Sequence, residues 1–100
     1  MIKIINHKKY DTDTATQLAS YQESRPGDFN YLCEELFQKK TGEFFLYGKG
    51  GPLTGYAKDI GNNWTSGSSD IIPYSEKQAK DWVEAYAPEY YEDIFGEIEE

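Results

Sequence analysis

The sequence predicts an α+β domain: a small antiparallel sheet of three or four strands, packed by one long C-terminal amphipathic helix and shorter helices. Two observations carry the sheet and the helix. Phe29 to Gln38 and Glu43 to Tyr47 are rich in aromatics, and the first places Tyr31, Cys33, Glu35 and Phe37 on one face. Between them Lys39-Lys40-Thr41-Gly42 is a hairpin turn whose glycine is free to take positive φ. The helix opens at Ser75, where Ser75 and Gln78 fit the S-x-x-Q capping box and Glu76 suits the positive end of the dipole. Behind this cap Ala79, Trp82, Val83, Tyr86 and Ala87 recur at i, i+3, i+4, i+7 and i+8, an apolar stripe that has to dock on something. At 100 residues the chain is one domain, spanning 1–100, and its 16% aromatic content gives it a core despite modest overall hydrophobicity.

The remaining elements follow in order. Ile2 to Ile5 is apolar and β-branched, and Asn6-His7-Lys8-Lys9 turns the chain before Tyr10, which predicts a small hairpin or a strand with a tight exit. Asp11 and Asp13 are helix N-cap candidates, with Ala15, Leu18, Ala19 and Gln22 on one side of a short helix that Arg25-Pro26-Gly27-Asp28 stops. Gly48-Lys49-Gly50-Gly51-Pro52 breaks the strand pattern, and Leu53, Tyr56, Ala57 and Ile60 fall at helical spacing over one or two turns. Gly61 to Ser69 is a polar loop anchored by Trp64, and Asp70-Ile71-Ile72 is a short edge strand ended by Pro73. Pro88 ends the capped helix, and a second helical piece runs from Glu89 to Phe95, with Gly96 as a break or C-cap.

Charge is distributed unevenly along this framework. From Met1 to Lys80 ten acidic and ten basic side chains cancel, whereas Asp81 to Glu100 holds eight acidic side chains and neither Lys nor Arg, the whole of the formal charge of −8. A neutral body with one anionic end repels nucleic acid and anionic membranes and attracts basic protein surfaces. Trp82, Val83, Tyr86, Tyr90, Tyr91, Ile94, Phe95 and Ile98 are interleaved with the charge, so this end, from about 75 to 100, is helical and attached to the domain. The candidate partner-binding residues are Glu84, Glu89, Glu92, Asp93 and Glu97, with Tyr90 and Tyr91 as anchors. Rigid carboxylates occupy the same Arg and Lys side chains that phosphates would, which makes the end a DNA mimic. The nearby rings supply the desolvated contacts that charge alone lacks. The alternative is a general interaction or regulatory domain whose acidic end only confers solubility.

Catalytic and metal chemistry find little support. His7 lies in a lysine-flanked turn and Cys33 in an apolar strand, so a Cys–His pair is not indicated and Cys33 reads as a small core residue. A structural zinc site needs about four Cys or His ligands, more than one His and one Cys supply. Gly48-Lys49-Gly50-Gly51 fails the P-loop pattern twice, with Glu43 where the first glycine belongs and Gly50 where Ser or Thr belongs. Asp11-Thr12-Asp13 begins a calcium loop that Ala15 and Thr16 do not continue. No pair of carboxylates stands out by spacing for glycosidase chemistry, so a carboxylate hydrolase is a minor third reading. The basic pairs Lys8-Lys9 and Lys39-Lys40 sit at turn tips and read as solvated lysines. The expectation is a non-enzymatic protein with no cofactor, no metal, no direct nucleic-acid contact and no membrane association. A lone cysteine and an N-terminal apolar run too short for a signal peptide place it in the cytoplasm.

The pattern Lys9-Tyr10-Asp11-Thr12-Asp13-Thr14-Ala15, Asp28-Phe29-Asn30-Tyr31 and Thr41-Gly42-Glu43-Phe44-Phe45-Leu46-Tyr47-Gly48 with Gly50-Gly51 is one half of a resemblance. Ile71-Ile72-Pro73 and Ala79 to Trp82 complete it. Over nearly its whole length the chain resembles short acidic proteins of bacterial mobile elements associated with anti-CRISPR proteins, small inhibitors of RNA-guided nucleases, which makes a phage or other mobile element the expected source. The resemblance implies inhibition of a CRISPR effector by direct binding and assigns no functional residues. Guide and target channels of such nucleases are basic, which agrees with an acidic partner.

Overall fold

The computed structural model describes residues 1–54, 56, 58–61 and 64–99, and for the strands at 58–61 and 64–66 it describes the backbone only. Residues in the left-handed region place the first turn: Asn6 (φ 51°) and His7 (φ 65°) join β1 (Ile2–Ile5) to β2 (Lys8–Asp11), the two positive φ values that a tight I′ hairpin requires. Gly42 (φ 94°) does the same work in the turn between β4 (Leu32–Gln38) and β5 (Phe44–Gly50), where its N–H donates to the Lys39 carbonyl at 2.9 Å.

Among the described residues the main sheet has four antiparallel strands in the order β3-β4-β5-β8, with β3 at Thr16–Glu23 and β8 at Ser68–Tyr74. The strands β6 (Lys58–Gly61) and β7 (Trp64–Ser66) form a separate two-stranded ribbon. Period-two alternation gives the main sheet two apolar faces. One face carries Ala19, Leu36 and Leu46 and is covered by α1 (Glu76–Tyr86), which buries Ala79, Trp82 and Val83, followed by Ala87. The other carries Phe37, Phe45 and Ile71 and is covered by Tyr10 of the hairpin, whose ring meets Phe45 edge-on at 5.6 Å. Each fully buried Leu, Ile, Val or Phe side chain contributes about 1.5–3 kcal/mol, so both faces matter to stability.

Ion pairs fasten the hairpin to the sheet. Lys3 pairs with Asp70 of β8, and Lys8 reaches Glu43 at 3.0 Å, a carboxylate that Lys39 also meets at 3.1 Å. Lys39 lies 4.3 Å from the centre of the Tyr10 ring as well. Two of the turn-tip lysines are therefore structural rather than simply solvated. The Lys3 ammonium holds the Asp70 carboxyl below its ordinary range, helped by the Ile71 N–H that donates to it at 2.8 Å. A depressed folded value means that the pair's stabilisation is complete above the unfolded value of about 3.9. It is lost as pH falls through the lower folded value. A carbon-13 titration of the Asp70 carboxyl should therefore show a midpoint below about 3.9 that returns toward it in Lys3→Met. An unchanged midpoint in that variant would contradict the pairing.

Several sequence expectations are corrected, among them the strand expected to stop at Pro73, which runs from Ser68 to Tyr74 with Pro73 paired to Phe45. The helix expected behind Asp11 and Asp13 is the strand β3. Asp11 accepts the Asp13 N–H at 2.9 Å, an Asx turn instead of a helix cap. A register shift between Gln17 and Ala19 lets the adjacent Leu18 and Ala19 both pack toward α1, and that bulge makes a strand read at helical spacing. The glycines after Tyr47 do not break β5, which runs on to Gly50. A Cβ on Gly48 would lie 1.9 Å from the Tyr56 hydroxyl, and one on Gly50 would lie 2.2 Å from Thr54 Oγ1. The glycines thus admit the side chains of Thr54 and Tyr56 onto the helix-facing side of the sheet.

A further correction concerns residues 53–69. Leu53 is exposed, and the backbone at 58–61 and 64–66 is strand, not helix or loop; Ala57 and the side chains of Ile60 and Trp64 lie outside the described residues. Another concerns the C-terminal helix, which is not long. α1 has 11 residues, an ordinary length, because Pro88 removes an N–H and its ring opposes the carbonyl four residues back. A 3₁₀ turn at Pro88–Tyr90 and the five-residue α2 (Tyr91–Phe95) continue the chain, and Gly96 (φ 91°) caps α2 with its N–H on the Glu92 carbonyl. The capping box is as expected: Ser75 Oγ accepts the Gln78 N–H at 3.1 Å, and Gln78 Oε1 accepts the Ser75 N–H at 2.8 Å. Cys33 is half-buried instead of lying in the core.

Candidate protein-binding surface

The acidic end is held to the domain by rings. Phe95 of α2 packs 5.7 Å from Phe44 of β5 and 5.0 Å from Tyr91, and Ile94, Phe95 and Tyr91 all lean on the core beneath α1. This attachment makes the end a shaped surface and not a loose tail. Glu84 sits on α1, Glu89 on the 3₁₀ turn, Glu92 and Asp93 on the first turn of α2, and Glu97 just beyond Gly96; all five are exposed.

Five other carboxylates are paired. Asp11, Glu43, Asp70, Glu76 and Asp81 each face a lysine within 4 Å. Among the described residues, no lysine or arginine pairs with Glu84, Glu89, Glu92, Asp93 or Glu97. Asp81 is thus already occupied by Lys77, whereas these five exposed carboxylates are open to a partner.

The two tyrosines chosen with them divide. Tyr90 is 45% exposed and available for contact. Tyr91 is half-buried and lines a groove of about 310 Å³ with Glu84, Pro88 and Ile98. The fold thus brings Glu84 and Tyr91 together across α1 and α2, and it adds Ile98, 51% exposed, as an apolar contact absent from the sequence-based choice. An apolar groove beside unpaired carboxylates has the anatomy of an anchor pocket with a polar rim.

A second arrangement was missed. Glu34 of β4 shares its face with Leu36, the side that receives α1. Its carboxylate accepts the Trp82 indole N–H at 3.1 Å and the Tyr56 hydroxyl. Burial, then the bond to Glu34, push the Tyr56 hydroxyl far above the ordinary tyrosine range. Tyr74 is raised too, by burial first and by Glu34 and Tyr86 after it. The signal for this site was present: alternation that puts Tyr31, Cys33, Glu35 and Phe37 on one face leaves Glu34 as the lone carboxylate on the opposite, apolar one.

Among the described residues, no group of His, Cys, Asp and Glu is placed to hold a metal ion, and no helix is long and apolar enough to cross a membrane. No protein-family model, curated protein or solved structure matches the chain.

Proposed function

We propose that this chain is a non-enzymatic cytoplasmic inhibitor that binds a nucleic-acid-handling defence protein, and specifically an anti-CRISPR protein of a phage or other mobile element. Its acidic end occupies the basic groove of an RNA-guided nuclease. One observation supports this above the others: the unpaired carboxylates Glu84, Glu89, Glu92, Asp93 and Glu97, beside Tyr90, Tyr91 and Ile98, on or just beyond helices whose rings pack on the core. A nuclease channel presents Arg and Lys to a polyanion, and this end offers a polyanion with apolar anchors. The tyrosines and Ile98 supply desolvated contact area, and the carboxylates supply steering and orientation. Tyr90 contributes by direct contact and Tyr91 by shaping the groove beside Glu84. No cofactor, metal or covalent step takes part, and neither nucleic acid nor membrane is contacted.

Binding to a guide-loaded CRISPR nuclease tests this by its salt dependence. Exposed charges separated by about 8–10 Å are largely screened at physiological ionic strength and above. Affinity should therefore fall steeply between low and moderate salt. Affinity that does not change with salt would count against occupation of a basic groove by this end.

A further inference from the structure

A pocket of about 350 Å³ lies on the flank of α1 beside the end of β8, lined by Tyr74, Gln78, Asp81, Trp82, Ala85 and Tyr86. It shares no lining residue with the groove at Glu84. Its walls are unusual for a helix flank. Tyr86 belongs to the apolar stripe yet is 44% exposed, where Trp82 beside it is buried. The two rings lie 5.7 Å apart at 52°, and Tyr21 of β3 backs Tyr86 at 4.5 Å. Tyr21 is itself tethered, its hydroxyl donating to Glu23 at 2.6 Å. Tyr86 is therefore propped in place rather than free at the surface.

The charge around these rings is negative. Glu34 lies behind the pocket, bonded to the Trp82 indole N–H. Asp81 stands at the rim, where its partner is Lys77 at 2.9 Å, an exposed pair in which Lys77 is 85% open to solvent. Such exposed pairs are weak, so an arriving cation displaces Lys77 at little cost. Three aromatic rings with a carboxylate behind and another at the mouth form the chemistry that attracts a cation to π faces. A guanidinium suits it better than an ammonium, since its plane stacks on rings while its fork reaches a carboxylate. Asp81, Ala85 and Tyr86 are all exposed on the outer flank of α1, which leaves the approach open to a partner's surface.

We propose that this pocket takes an arginine side chain of a partner protein, stacked against Tyr86 and Tyr74 above the buried Trp82 and paired with Asp81. It is a second contact site, separate from the groove at Glu84 and Tyr91, and it does not depend on which protein the carboxylates Glu84, Glu89, Glu92, Asp93 and Glu97 engage.

The probe is Nα-acetyl-arginine methylamide, with its citrulline counterpart as the uncharged isostere, titrated into the nitrogen-15-labelled protein. The indole N–H signal of Trp82 is assigned with Trp64→Phe, which leaves a single indole. The arginine probe should shift that signal saturably, and the citrulline probe should bind more weakly by about threefold to thirtyfold. Tyr86→Leu, which keeps an apolar side chain on the helix, should weaken arginine binding by a similar factor. Asp81→Asn, at an exposed position, should weaken it about twofold or more, and it serves if Tyr86→Leu does not fold. Equal binding of the two probes overturns the proposal. So does an absent Trp82 shift, or folded Tyr86→Leu or Asp81→Asn protein that binds like the parent.

Discussion

Replacing Glu84, Glu89, Glu92, Asp93 and Glu97 by their amides should lower affinity for the nuclease partner by about a hundredfold while leaving the fold intact. Each exposed charge meeting an Arg or Lys at an interface rim contributes about 0.5 kcal/mol. Five such contributions come to roughly 2–3 kcal/mol, and each 1.4 kcal/mol is a factor of about ten. Much of the loss should appear in the association rate, because opposite fields steer the encounter. Stability should move the other way or not at all. These carboxylates make no ion pairs among the described residues, so their removal breaks none and relieves mutual repulsion. Surface plasmon resonance for the affinity and urea denaturation for the stability separate the two effects. A variant that binds as tightly as the parent would assign the end to solubility alone. One that unfolds would show that the carboxylates hold the fold.

The second large effect is at Trp82. This residue of α1 is buried in one cluster with Ala79, Val83 and the sheet residues Leu36 and Leu46, and it donates its indole N–H to Glu34 at 3.1 Å. Trp82→Ala should cost about 3–5 kcal/mol through the cavity and the lost burial. Since a domain of this size is stable by only about 5–15 kcal/mol, the variant approaches the limit of folding. Trp82→Phe isolates the hydrogen bond. It keeps an aromatic ring in the core but leaves Glu34 with one donor fewer, at a cost of about 1–3 kcal/mol. Denaturant midpoints of the two variants give both numbers. A Trp82→Ala protein as stable as the parent would mean that α1 does not depend on this ring for its docking.

The parts of this fold legible in the sequence are those written in local chemistry. The capping box at Ser75 and Gln78, the turn at Gly42, the stop at Pro88 and the positive φ of Gly96 all depend on residues within a few positions of each other. The parts that were not legible depend on distant partners. A bulge at Gln17 and Ala19 turns an apparent helical repeat into strand β3, and it does so through pairing with β4. Gly48 and Gly50 look like breakers until Tyr56 and Thr54 are seen lying across them. The acidic end was legible as charge. Its division into an exposed Tyr90 and a packed Tyr91 follows from the docking of α2 on Phe44, a contact across the sheet that no local spacing records. Glu34 shows the intermediate case: alternation marks it as a carboxylate on an apolar face, while its donors, Trp82 and Tyr56, lie far along the chain.

The most direct test of the account is an order-of-addition cleavage assay with a guide-loaded CRISPR nuclease and its target DNA. If the acidic end occupies the DNA groove, the protein added before target DNA blocks cleavage. Added after the DNA is bound, it has little effect, and the five-amide variant fails in both orders. Equal inhibition in either order, or inhibition undiminished in that variant, would contradict competition for the groove by this end. Absence of inhibition across several effector types would contradict the proposed target itself.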